Sequence, residues 1–170
     1  MNPAEHAKEA ILRALAGAAP DTLPWEAPPP EGLFLVVRDP EGKVRASIGT
    51  SRAEGDAGRL LARLARAAVA DDPRFPPLTE AEVGSVRVWV LGAGRDIGGP
   101  DELRPGEAVR VREGRFSGVF LPDNDAGPAW DPLAYLKQAC RRAGLEAHAF
   151  QRAGVEIRAY PTTLYEATRP

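Results

Sequence analysis

Cysteine is almost absent from this chain. Cys140 is the only one in 170 residues, which excludes an internal disulfide and a cysteine-rich zinc site and suits a reducing compartment. Histidine is nearly as scarce, with only His6 and His148, so a metal centre would have to be carboxylate-rich, and no ligand spacing supports one. Lysine is confined to Lys8, Lys43 and Lys137, every other cation being arginine. Together with abundant Ala, Pro and Gly, this looks like a GC-rich genome and hints at a thermophile. The net charge of -2 provides no global positive field, so nucleic acid is not an expected partner. No apolar run approaches the roughly 20 residues that span a bilayer. The opening MNPAEHAKEAILRALAGAA lacks a signal layout and carries Glu5 and Glu9, against a transit peptide. A cytoplasmic protein without membrane segment, cofactor motif or metal motif is expected.

What is present reads as an α+β domain with a mixed or antiparallel sheet and flanking helices. The length suits one compact domain, able to bury about two thirds of its unfolded surface. Ala7, Ile11, Ala14, Leu15 and Ala18 form one stripe of an N-terminal helix over 4–18. Five prolines from Pro20 to Pro30 make 19–31 an extended connector, with Trp25 placed to pin it to the body. The stretch from Leu33 to Thr50 reads as a β-hairpin turning at Asp39-Pro40-Glu41-Gly42. Asp56 can cap a helix with the stripe Leu60, Leu61, Leu64 and Ala68, whose neighbouring face carries Arg59, Arg63 and Arg66. Thr79 and Glu82 form a capping box before a strand through Val86, Val88 and Val90.

Further on, Leu91-Gly92-Ala93-Gly94-Arg95-Asp96-Ile97-Gly98 imitates a dinucleotide fingerprint, but its third glycine is one place late and Gly98-Gly99-Pro100 is a poor helix start. A second hairpin turns at Glu113-Gly114. Asp123-Asn124-Asp125 lacks the bidentate glutamate of a calcium loop and reads as turn chemistry. Asp131 and Pro132 open a helix whose buried side is Leu133, Leu136, Ala139, Cys140 and Ala143, ended by Gly144. Cys140 there is a core residue, Trp130 is expected in the core, and Val155, Ile157 and Ala159 give a last strand, with Leu164 and Tyr165 packing beyond it. No G-x-S-x-G elbow and no P-loop is present.

Four stretches, from Leu33 to Thr50, Asp72 to Leu91, Gly114 to Pro122 and Trp130 to Leu145, carry a resemblance that spans most of the chain. DPRFPPLTEAE and WDPLAYLKQACRRAGL are its most specific parts. In these the chain resembles the AMME chromosomal region gene one (AMMECR-like) family. The resemblance implies a single domain over 1–170 in which a two-lobed body at 32–170 follows the helix and connector, with a cleft between the lobes. It also implies that the family signature, usually Arg-Gly-Cys-Ile-Gly, stands here as Arg45-Ala46-Ser47-Ile48-Gly49. The thiol is thus replaced by a hydroxyl, which needs an adjacent base to act as nucleophile. A second departure is Gly106-Glu107-Ala108-Val109, where relatives tend to carry lysine, histidine and glycine.

The expected ligand site is Arg45, Ser47, Asp72 and Arg74. Ser47 offers a hydroxyl, Arg45 and Arg74 grip an anionic or carbonyl group, and Asp72 orients Arg74. The same residues are open to a plainer account, with Ser47 a small strand residue and Arg74 a structural ion pair holding the proline loop. Whether catalysis accompanies binding is left open. Because relatives stand beside, or are fused to, Memo-like proteins and radical-SAM enzymes, the alternative is a non-catalytic adaptor for such a protein partner, or for RNA through Arg59, Arg63, Arg66, Arg110 and Arg112.

Overall fold

The computed structural model describes residues 1–122 and 129–168; the turn at Asp123, Asn124 and Asp125 lies outside them. The fold is α+β, with three α-helices and two four-stranded antiparallel sheets among the described residues. The chain divides into two compact units, one made of Met1–Val90 with the segment from Thr163 onward, the other of Leu91–Thr162.

In the first unit the sheet runs β2-β1-β3-β8, from β1 (Gly32–Arg38), β2 (Val44–Thr50), β3 (Ser85–Leu91) and β8 (Thr162–Thr168). The β1–β2 hairpin follows its turn residues. Asp39 Oδ1 accepts the N–H groups of Glu41 and Lys43, both at 2.9 Å, and Gly42 takes a φ of 89° that its missing side chain permits. Helices α1 (Pro3–Leu15) and α2 (Ala57–Ala70) cover one face. Their Ala7, Ile11, Leu61 and Leu64 meet Leu33, Leu35, Val37, Ala46, Val86 and Val88 in one core. A residue such as Leu61, fully buried, contributes about 2 kcal/mol by leaving water. Trp25 packs on this core, and Leu23 N–H donates to Gly58 O at 3.1 Å, so the proline-rich connector is fastened to α2.

Local sequence signals set most boundaries. Asp56 caps α2, its Oδ1 accepting from Arg59 N at 2.7 Å. The capping box of Thr79 and Glu82 opens only a 3-10 turn, Glu80–Glu82. Helix α1 stops at Leu15, three residues before the expected end, because Gly17 takes a φ of 77°; Ala18 is exposed and outside the stripe.

The second unit holds a sheet of order β4-β7-β5-β6, from β4 (Arg95–Asp96), β5 (Ala108–Glu113), β6 (Phe116–Phe120) and β7 (Glu156–Tyr160). Helix α3 (Pro132–Arg142) packs on it through Leu136, Ala139 and Cys140 against Val109, Val111, Phe120 and Ile157. A Cβ on Gly118 would sit 2.2 Å from Ala143 N, so α3 lies directly on bare backbone of β6. Asp131 caps α3 through Leu133 N at 3.1 Å and Ala134 N at 3.2 Å. Leu145 N to Cys140 O at 2.9 Å and Gly144 N to Arg141 O at 3.0 Å close the helix end. Two expectations are corrected here. Leu133 is 38% exposed and Trp130 40% exposed, since both belong to the first turn and its approach; the Trp130 ring instead meets Tyr135 edge-on at 5.1 Å. No described helix is long and apolar enough to cross a membrane.

Candidate functional site

Three of the four expected site residues form one hydrogen-bonded group, all within the first unit. β2 is an edge strand. Ala46 and Ile48 belong to the core side, so alternation puts Ser47 on the opposite face. Ser47 pairs with Val36, but its backbone groups turn outward to the loop that follows α2. Its N–H donates to Asp72 Oδ2 at 3.0 Å, and its carbonyl accepts from Arg74 Nη2 at 3.0 Å. Asp72 and Arg74 thus satisfy the donor and acceptor of Ser47 as a further strand would, and they block that edge.

The pair itself is a two-pronged fork. Arg74 Nε reaches Asp72 Oδ1 at 3.0 Å and Arg74 Nη2 reaches Oδ2 at 2.8 Å, while the Arg74 backbone N–H adds a bond of 3.1 Å to Oδ1. The Asp72 side chain is only 5% exposed, that of Arg74 52%. Hydrogen bonds from the Arg74 side chain, then from the backbone of Ser47 and Arg74, outweigh burial and draw the Asp72 carboxyl down to about 2. Arg74 is correspondingly raised, chiefly by Asp72. Proline on either side of this loop, at Pro73, Pro76 and Pro77, restricts its backbone.

Arg45, the fourth residue, turns elsewhere. Its guanidinium grips Glu82 through Nε–Oε1 at 2.8 Å and Nη2–Oε2 at 2.9 Å, and its side chain is 11% exposed. The bond from Arg45 holds Glu82 at about 2, helped by Thr79 N–H. Arg45 and Arg74 nevertheless share a neighbour, lying 5.5 and 5.3 Å from the centroid of the Phe75 ring. Glu82 and Phe75 were not among the expected site residues. Phe75 lies inside the specific DPRFPPLTEAE stretch, and that was the available signal; Glu82 was accounted for by its capping box, which it also forms.

Ser47 Oγ makes no hydrogen bond among the described residues, and neither imidazole serves it. His6 lies beside Met1, Asn2 and Pro24, and His148 stacks obliquely near Phe150 in the second unit. Nothing in this arrangement raises the hydroxyl to a nucleophile. Glu107, at the second departure from the family pattern, is buried and accepts from Arg95 Nη2 at 2.9 Å and Arg104 N at 2.8 Å. Arg59, Arg63 and Arg66 are exposed and line a hollow of about 590 Å³, but Asp21, Glu54 and Asp56 line it too. Cys140 is fully buried, and burial pushes its thiol up.

The family model for AMMECR1 matches residues 4–165. The chain belongs to the AMMECR1 family. Among relatives of this AMMECR1-family protein, one from Thermofilum pendens is 27% identical across 96% of this chain and 87% of its own. Protein NEQ441 of Nanoarchaeum equitans is 25% identical across 98% and 99%. Of solved structures, that of the uncharacterised protein PH0010 from Pyrococcus horikoshii is similar at a TM-score of 0.85 and 25% identity, covering 99% of this chain and 91% of that one. The matched span includes Arg45, Ser47, Asp72 and Arg74.

Proposed function

We propose that the face bearing Ser47 and Arg74 binds a small ligand through an anionic or carbonyl oxygen. The observation that carries this reading is the Asp72–Arg74 fork. Asp72 engages Nε and Nη2, which locks the guanidinium plane while Nη1 makes no bond among the described residues and the side chain stays half exposed. A guanidinium fixed in this way loses little entropy on meeting a ligand oxygen. Ser47 Oγ adds a second free donor or acceptor on the adjoining strand. Arg45 holds the neighbouring 76–82 segment, gripping Glu82 and donating to Pro76 O at 3.4 Å. Binding without nucleophilic catalysis by Ser47 fits the missing base.

The test is an NMR screen of carboxylate, phosphate and carbonyl fragments against the full chain, repeated with Ser47→Ala and Arg74→Ala. Fragments that bind this face should weaken at least tenfold in Arg74→Ala and measurably in Ser47→Ala. Binding unaffected by either change would end the proposal.

A further inference from the structure

Beside Ser47 on β2, Gly49 leaves a space that a neighbouring ring fills. Gly49 pairs with Phe34 of β1, and a Cβ built on it would come within 2.5 and 2.6 Å of two carbons of the Phe34 ring. The ring therefore lies across β2 where a side chain at position 49 would stand, which only glycine permits. Leu33, Leu35 and Val37 belong to the core, so alternation puts Phe34 on the opposite face of the sheet, the face of Ser47. Phe34 is only partly buried and Gly49 is exposed. Among the described residues the Phe34 ring meets no other aromatic.

Ser47 follows on the same face, two residues or about 7 Å along the strand, and Phe34 is its diagonal neighbour across the hairpin. Beyond it, at the edge of β2, Arg74 Nη2 holds the Ser47 carbonyl, leaving Nη1 over on a half-exposed side chain. An accessible aromatic ring, a hydroxyl and a fixed guanidinium thus succeed one another along one strand. The charges around them are already matched one to one, Arg74 by Asp72 and Arg45 by Glu82. A singly charged group therefore suits this face better than a dianion.

We infer that the ligand of this face is a small aromatic carboxylate, its ring stacked on Phe34 over Gly49 and its carboxylate accepting from Ser47 Oγ–H and Arg74 Nη1–H. The inference rests on the binding role proposed above and adds to it the aromatic body. Offset stacking is a favoured arrangement of two rings, and one ring with its carboxylate and a hydrogen bond spans the interval from Gly49 to Ser47. All of these residues lie within the first unit.

The test is an NMR titration of the 15N-labelled full chain with sodium benzoate, sodium cyclohexanecarboxylate and sodium acetate, each against sodium chloride at equal ionic strength. Read from the amides of Ser47 and Gly49, benzoate should bind at least tenfold more tightly than acetate. It should bind at least threefold more tightly than cyclohexanecarboxylate, which has the bulk without the flat ring. Phe34→Leu should abolish the preference for benzoate and leave acetate unchanged, whereas Arg74→Ala should weaken both. In the wild type, benzoate protons should show nuclear Overhauser contacts to the Phe34 ring. Equal affinity for benzoate and either aliphatic acid, no binding of any of the three, or a benzoate preference that survives Phe34→Leu would overturn the aromatic ligand while leaving an anion or carbonyl site open. Binding that Arg74→Ala does not weaken would overturn both. Should Phe34→Leu fail to fold, the presence or absence of the Overhauser contacts decides alone.

Discussion

Replacing Asp72 by Asn tests whether the edge of β2 depends on a charge and not on shape. The carboxylate accepts four bonds, two on each oxygen: Ser47 N and Arg74 Nη2 on Oδ2, Arg74 N and Arg74 Nε on Oδ1. An amide keeps one acceptor oxygen, so either rotamer turns an NH2 group toward two donors. Two charge-assisted bonds at roughly 1.5–3 kcal/mol each are lost, discounted because half-exposed Arg74 regains water. The expected loss is about 2–3 kcal/mol. The carboxyl's fall from 3.8 to about 2 gives a similar scale, about 2 kcal/mol. The sign of the pH effect is fixed. Between these values the unfolded chain binds more protons, so the stability Asp72 adds is whole above about pH 5, drains as pH falls through 4 toward 2, and is gone below. Urea unfolding of wild type and Asp72→Asn from pH 7 down to 2 measures the difference directly, and other acidic groups cancel in the subtraction. A difference under about 0.5 kcal/mol at pH 7, or one that does not shrink with acid, would refute the reasoning.

Two further outcomes are expected. Gly118→Ala drives a methyl into Ala143 N at 2.2 Å, so α3 must lift from β6 at a net cost of about 2 kcal/mol, read as a lower urea midpoint with unchanged slope. Cys140, buried with a raised thiol, should react with a thiol-specific chromophore only as the chain opens. Labelling at pH 8 should therefore track the unfolding equilibrium across a urea series, and rapid labelling in native buffer would contradict the burial.

The sequence was most informative where structure is decided locally. Asp39-Pro40-Glu41-Gly42, Asp56, Asp131-Pro132 and Gly144 each fix a turn or helix end within a few residues, and each does what its chemistry predicts. Strand β8 carries no local signal that marks it as a strand. Thr162–Thr168 follows Pro161 and has no hairpin partner beside it; it becomes a strand by pairing with β3, a contact far away in sequence. The same limit applied to the site. Ser47, Asp72 and Arg74 are grouped in the sequence reading for their chemistry, and the fold brings them within hydrogen-bond reach. That Asp72 and Arg74 grasp the Ser47 backbone, and that Arg45 prefers Glu82, depend on β2 being an edge strand, which only the folded sheet order determines.

That late strand imposes a schedule on synthesis. As the polypeptide emerges from its N-terminus, β2, β1 and β3 can assemble once residue 91 is free, but their sheet stays one member short until residues 92–168 have also been made. Throughout that interval the valine-rich β3 is the rim, with unsatisfied peptide groups open to any passing extended chain. On the opposite rim, Asp72 and Arg74 are already in place from the outset. One flank of the growing sheet is therefore guarded early and the other waits for the last few residues of the described chain.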